Sequence, residues 1–182
     1  MIMVCDTREQ NCENGKLDFS GIEGIEKIEH IGLPYGDYTA IVHGRPVPIY
    51  YERKSFGDLW TTMASDNYER FKREMARAKE AKVKLILIIE GNYTDVWNGN
   101  EYSKFDGESM LKKLATLYTR YDLEYVFTEN RRVMARRICD TFSSIERGYS
   151  KQNSSKISPT GAIDANRPSL FDGQSITNDH DD

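Results

Sequence analysis

Asp37, Glu52 and Lys54 are the residues of this sequence whose types and spacing could do chemistry. Glu52 and Lys54 are two apart, so on a strand their side chains share a face. Asp37 to His43 and Val47 to Arg53 are rich in β-branched and aromatic residues, and His43-Gly44-Arg45-Pro46 joins them in a hairpin signature. Counted from that turn, Asp37 and Glu52 lie at similar distances, which brings two carboxylates and an amine to one end of a sheet. Two carboxylates hold a hard divalent ion such as Mg²⁺, which keeps several waters. The ion lowers the pKa of a bound water and neutralises charge growing on a phosphate. A neighbouring lysine orients the attacking water or stabilises the charged transition state. The grouping suits phosphodiester cleavage, with Mg²⁺ or Mn²⁺ as the expected cofactor. An exposed hairpin with scattered charges is the structural alternative.

Two further segments carry charged groups. Asp6-Thr7-Arg8-Glu9 follows an apolar stretch, where Asp6 fits a site residue, a helix cap or a surface ion pair. Asp58 stands three residues after Ser55, a spacing that resembles a helix capping box and is compatible with a place in the site. Together, Asp6-x-Arg8-Glu9, Gly36-Asp37-Tyr38 and Glu52-Arg53-Lys54-x-x-x-Asp58 resemble the nuclease signature of the XPF-type structure-specific endonucleases, in the family order and with family-like spacing. Leu85 to Gly91, reading LILIIEG, resembles the core strand that follows, and Arg70 resembles the arginine of the helix before it. The similarity spans roughly residues 1–148.

The resemblance implies a restriction-endonuclease-like α/β core, a mixed central sheet flanked by helices. It implies Asp37 and Glu52 as the main metal ligands with Asp6 close by, Lys54 at the scissile phosphate, and Arg8, Glu9, Arg53 and Asp58 supporting the site. The implied activity is metal-dependent endonucleolytic hydrolysis of DNA, selective for flaps, junctions or single-strand/duplex boundaries, in repair, recombination or replication. The alternative is a catalytically silent nuclease-like subunit that binds DNA or an active partner; the presence of every acidic position argues against it. Family members commonly continue into a tandem helix-hairpin-helix module, and nothing after Tyr149 reads as one. How DNA is recognised, and whether a homodimer or heterodimer forms, stay open.

The elements that must position these residues follow from pattern. Met1 to Asp6 reads as a buried strand, Ile25 to Ile31 as either strand or turn, and Leu33 to Gly36 as a turn. Ser55 opens one helix; Asp66 with Glu69 opens a second, with Tyr68, Phe71, Met75 and Ala78 at helical spacing. Val83 to Glu90 is a near-continuous apolar run, the mark of a central strand covered on both faces. Tyr93, Trp97 and Tyr102 fall in a Gly/Asn-rich loop that could stack on unpaired bases. Asp106 caps a third helix, Leu123 to Thr128 is a strand, and Asn130 opens a last helix stopping near Gly148. This alternation predicts parallel pairing beyond residue 80 beside an earlier antiparallel hairpin. Residues 1–149 form the expected nuclease domain, and the Ser-, Asn- and Asp-rich residues 150–182 an expected disordered tail.

Net charge is −4 over 182 residues, so phosphate binding must rest on patches. One runs from Arg70 to Lys84, with Arg70, Lys72, Arg73 and Arg77 as the expected DNA contacts; Arg131, Arg132, Arg136 and Arg137 form another. No stretch approaches the roughly 20 apolar residues of a membrane span. No signal peptide is apparent, and Cys5, Cys12 and Cys139 lack disulfide or zinc spacing, so a cytoplasmic setting in a bacterium or phage-infected cell is expected. His30 and His43 show no metal-like spacing. Leu170-Phe171 is an apolar island in the tail that resembles peptides docking on bacterial sliding clamps.

Overall fold

A computed structural model describes residues 1–9 and 16–155, with side chains to residue 151. Strands β1 (Ile2–Cys5), β2 (Lys27–His30), β3 (Tyr38–Val42), β4 (Arg45–Pro46), β5 (Ile49–Lys54), β6 (Lys84–Glu90) and β7 (Glu124–Thr128) make one mixed sheet. Its order is β2-β1-β3-β5-β6-β7, with β4 paired to β3. Strand β3 runs antiparallel to β1 and β5, whereas β5, β6 and β7 are parallel, as the alternation beyond residue 80 predicts. The ambiguous Ile25–Ile31 stretch contains β2, a mostly exposed edge strand parallel to β1.

The sheet is covered on both faces because β6 is apolar on both. Leu85, Leu87 and Ile89 pack under helices α1 (Phe56–Ala64), α2 (Asn67–Glu80) and α4 (Gly107–Tyr121). Ile86 and Ile88 pack on the opposite face under α5 (Arg131–Ser155), whose Met134, Ile138 and Phe142 meet them at helical spacing. Each such fully buried side chain contributes about 1.5–3 kcal/mol. No helix among the described residues is long and apolar enough to cross a membrane. Cys5 and Cys139 are buried and free, and burial pushes their thiols up to about 11 and about 12. Cys12, Leu170 and Phe171 lie outside the described residues.

Four local expectations change. The turn of the hairpin is His43-Gly44 alone, both with positive φ (49° and 73°), the backbone of a tight two-residue connection. Arg45 and Pro46 already pair with Val42 and Ile41. The pairing then slips by two residues before Tyr38 meets Tyr51, and Thr39 Oγ1 spans the slip by donating to the carbonyls of Val47 (3.2 Å) and Ile49 (2.8 Å). Asp66 makes no side-chain cap; Ser65 Oγ accepts from the Asn67 amide instead. Residues Tyr93–Asn98 form a short helix, α3, because Asn92 and Asp95 cap each other reciprocally at 2.9 Å. Finally, α5 continues past Gly148 to Ser155, crossing the expected domain boundary. An exposed glycine costs a helix about 1 kcal/mol and does not by itself end one. The tail expected from residue 150 therefore begins inside this helix, and its remainder lies outside the described residues.

Candidate active site

Three neighbouring strands set their acids in one row. Asp6 stands one residue beyond the Cys5–Tyr38 pair, and its amide donates to the Asp37 carbonyl at 2.8 Å. Asp37 stands one residue beyond the Tyr38–Tyr51 pair, and its amide donates to the Tyr51 carbonyl at 2.7 Å. Glu52 is thus Asp37's cross-strand neighbour. Strand alternation places Asp6, Asp37, Glu52 and Lys54 on the α1/α2 face, since Cys5, Tyr38 and Tyr51 belong to the α5 side.

Gly36 makes this register reachable. It holds φ +55°, and an added Cβ would lie 2.8 Å from the Tyr51 carbonyl oxygen and 3.1 Å from Leu85 Cδ1. Only glycine combines that backbone with that approach. Its amide points at Glu74 Oε1 on α2, 3.4 Å away.

The carboxylates differ in what they do. Asp37 Oδ2 accepts from the Arg53 amide at 2.7 Å. Glu52 Oε1 accepts from Lys54 Nζ. Burial, then the Glu52 and Glu9 charges, push Asp37 well above the usual carboxylate range despite the Arg53 amide and Lys54. Burial also raises Glu52; Lys54 opposes this, while Glu74 and Glu9 add to it. Burial works against the Lys54 ammonium, yet the charge and hydrogen bond of Glu52, with Asp37 and Asp58, hold its pKa above the ordinary value. Lys54 is therefore a fixed cation at neutral pH and not a general base.

Asp6 behaves otherwise. Its Oδ1 accepts from the Arg8 amide (2.6 Å) and Nε (2.9 Å), and its Oδ2 from Arg8 Nη2 (2.7 Å) and the Leu33 amide (2.8 Å). Burial disfavours the charge, but these four bonds outweigh it and lower the pKa. Asp6, expected close to the metal ligands, thus stands beside Asp37 with its carboxylate engaged by Arg8 and Leu33. It fastens Arg8, whose Nη2 also reaches the Leu33 carbonyl at 2.6 Å, and so fixes the 33–36 turn before Asp37.

Behind the row, on the α5 face, Arg53 lies between Glu9 (3.8 Å) and Glu90 (3.4 Å). Tyr38 donates to Glu9 Oε1 at 3.1 Å and receives the Leu17 amide at 3.0 Å. Glu9 and Arg53 thus support the row from beneath. Asp58 is exposed at the start of α1, bonded to Ser55, and contributes its charge to Lys54.

Helix α2 passes alongside. Arg70, Arg73 and Arg77 share one face with Glu74, the face turned to Gly36. Lys72 lies on the opposite side, ion-paired to Glu69 at 2.6 Å and over the Tyr68 ring. Of the four expected DNA contacts it is thus the one set apart from the other three around the helix. Lys79 and Lys84 are likewise paired, to Asp122 (2.8 Å) and Glu124 (2.6 Å).

The donor set fits a hard divalent cation. Asp37 and Glu52 each use one oxygen in the bonds above, and two more acids, Glu9 and Glu74, raise the cost of their charge. A cation would relieve this repulsion. Among the described residues no three acid, His or Cys side chains form a ready-made cage, so two carboxylates would be completed by water and phosphate, the arrangement usual for Mg²⁺. Sequence reasoning missed Glu74 and Glu90. Glu74 could have been found as the lone acid on the Arg70–Arg77 face; Glu90, at a strand end, gave no signal.

Fold and site define a class: an α/β domain with an acid-and-lysine constellation at one end of its sheet. Residues 5–141 match the ERCC4 domain. Among solved structures, XPF from Aeropyrum pernix superposes with a TM-score of 0.60 at 19% identity, covering 85% of this chain and 68% of that one. XPF from the same organism in complex with DNA gives 0.56 at 20% identity, covering 83% and 66%. No curated protein sequence matches. The chain belongs to the ERCC4-domain family and carries an XPF-type nuclease fold.

Proposed function

We propose that this domain hydrolyses internal phosphodiester bonds of DNA, with Mg²⁺ or Mn²⁺, at flaps, junctions or single-strand/duplex boundaries. The observation that carries the reading is the convergence of Asp37, Glu52 and Lys54 on one sheet face, beside an arginine-bearing helix. Asp37 and Glu52 would hold the cation, which when bound supplies charge neutralisation and a water of lowered pKa.

The residues of the chain do the rest. Lys54, kept charged by Glu52, donates to a phosphoryl oxygen as negative charge grows there. Water attacks phosphorus in line and gives up a proton to solvent, the bond to the leaving oxygen breaks and that oxygen takes a proton from solvent, and no covalent bond to the protein forms. Arg70, Arg73 and Arg77 present cations on the adjoining face of α2 and steer the backbone across Gly36. Arg8 and Arg53 hold the supporting acids in place, which keeps the row rigid during the reaction.

The test is a panel of labelled single-stranded, duplex, flap and junction DNAs incubated with Mg²⁺ or Mn²⁺. Cleavage of branched substrates, abolished in Asp37→Ala and Glu52→Ala proteins that remain folded, is expected. A folded variant that still cuts removes Asp37 and Glu52 from the chemistry, and a wild-type protein that binds every substrate and cuts none overturns the reading in favour of a silent DNA-binding subunit.

A further inference from the structure

We propose that a second stretch of the nucleic-acid backbone lies in a basic cleft on the α5 side of the same end of the sheet. The inference rests on the DNA-cleaving function above and adds to it a surface that positions the substrate. The cleft is about 820 Å³, and among the described residues its charged lining is Lys16, Arg131, Arg132 and Arg136 facing the carboxylate of Asp18. In a chain of net charge −4, four cations on one concavity are a local reversal of sign. Asp18 is occupied by its own turn, accepting from the Ser20 amide at 2.8 Å, and Arg136 is shared with Asp140 at 2.9 Å.

Both walls are fixed, and both lead back to the acid row. The Leu17 amide donates to Tyr38 Oη, which donates to Glu9, and Phe19 packs edge-on against the Tyr38 ring at 5.3 Å. The other wall is the first turns of α5. That helix begins three residues after Thr128, the register partner of Glu90, which pairs with Arg53. The cleft therefore lies toward the same end of the sheet as Asp37 and Glu52, on the other face. The N-terminal end of α5, where the Val133 amide is capped by Asn130, adds favourable potential for an anion.

The lining also selects the occupant. Among the described residues it contains no aromatic ring and one aliphatic side chain, Ile22, so these offer nothing for bases to stack on and little for a protein core to bury. Phosphate and sugar are what it fits, without regard to sequence. A duplex or branch arm crossing that end of the sheet would then be held on both sides, by Arg70, Arg73 and Arg77 on one face and by this cleft on the other.

The experiment is fluorescence anisotropy of labelled duplex and fork DNA on the full chain, in EDTA, across a salt series. Arg131→Glu/Arg132→Glu is expected to weaken binding about tenfold or more. The slope of log K against log salt should fall by roughly 1–2, near 0.9 for each phosphate that is no longer neutralised. Lys16→Glu, on the opposite wall, is expected to act in the same direction and stands in should the helix pair fail to fold. Asp37→Ala is expected to bind undiminished. Unchanged affinity and slope in folded cleft variants overturns the proposal. So does equal competition by polyglutamate of matched charge, which would make the cleft a site for an acidic polypeptide. The two proposals fail separately. A wild-type chain that binds with this salt dependence but never cuts loses the nuclease reading alone; one that cuts while the cleft variants keep their KM and slope loses the cleft alone.

Discussion

Gly36→Ala perturbs the site without touching a functional group. Alanine at φ +55° carries a left-handed backbone strain of about 1–2 kcal/mol. Its Cβ would stand 2.8 Å from the Tyr51 carbonyl oxygen and 3.1 Å from Leu85 Cδ1, an overpacking that costs about 1–3 kcal/mol. A stiffer unfolded chain returns about 0.4–1 kcal/mol. The net loss is therefore on the order of 1–5 kcal/mol, or a fall in Tm of roughly 2–4 °C for each kcal/mol. Relief requires β5 to move away from Gly36, lengthening the 2.7 Å bond from the Asp37 amide to the Tyr51 carbonyl and spreading Asp37 from Glu52. Cleavage should thus fall more steeply than stability. Gly57→Ala is the control: it is exposed near the start of α1, and an added Cβ meets nothing within 4 Å, so the change should be neutral or slightly stabilising. Thermal denaturation and cleavage rates of the two variants decide the matter. Should Gly36→Ala melt and cut like Gly57→Ala, the close approach of turn and strand is not what sets the register.

Other outcomes follow from the charges. Asp37 and Glu52 are raised in the folded state, so the folded chain binds protons more tightly than the unfolded one; without metal, stability should fall as pH rises above the ordinary carboxylate values of 3.8 and 4.5 and through the raised ones. Asp37→Asn keeps an acceptor for the Arg53 amide and removes a crowded charge, so at pH 7 in EDTA it should gain about 0.5–2 kcal/mol while losing activity; a loss of stability in urea melts would contradict the repulsion argument. Protons should also compete with the cation, placing the acid limb of the cleavage profile above the range of an ordinary aspartate. Lys54→Met should lower kcat about a hundredfold or more with little change in DNA affinity, and a variant of unchanged kcat removes Lys54 from the chemistry. Asp6→Ala leaves Arg8 and the Leu33 amide without their acceptor and should cost about 1–3 kcal/mol, read as a lower Tm.

Much of this was legible in the sequence because strand periodicity is strict. Glu52 and Lys54 two apart had to share a face, and LILIIEG had to be a strand covered on both sides. The opposition of Asp37 and Glu52 came out correctly for an incomplete reason. A four-residue turn gives the right count, but the chain uses a two-residue turn and then slips by two, a compensation written in Thr39 hydrogen bonds that no pattern displays. At Asp6 the sequence shows the carboxylate but not the guanidinium folded back on it. Lys72 belongs to the same basic run as Arg70 and Arg73, but 100° per residue puts it across the helix from them. Glu74 was masked by the basic residues around it. In each case the deciding information was which partner a side chain meets.

Single-turnover cleavage of one branched DNA over a Mn²⁺ titration, for wild type, Asp37→Asn and Glu52→Gln together, probes the acid row most directly. The expected result is metal-dependent cutting by the wild type and rates lower by at least about a hundredfold in both variants, with DNA binding retained. Cutting by either variant at close to the wild-type rate would contradict the assignment.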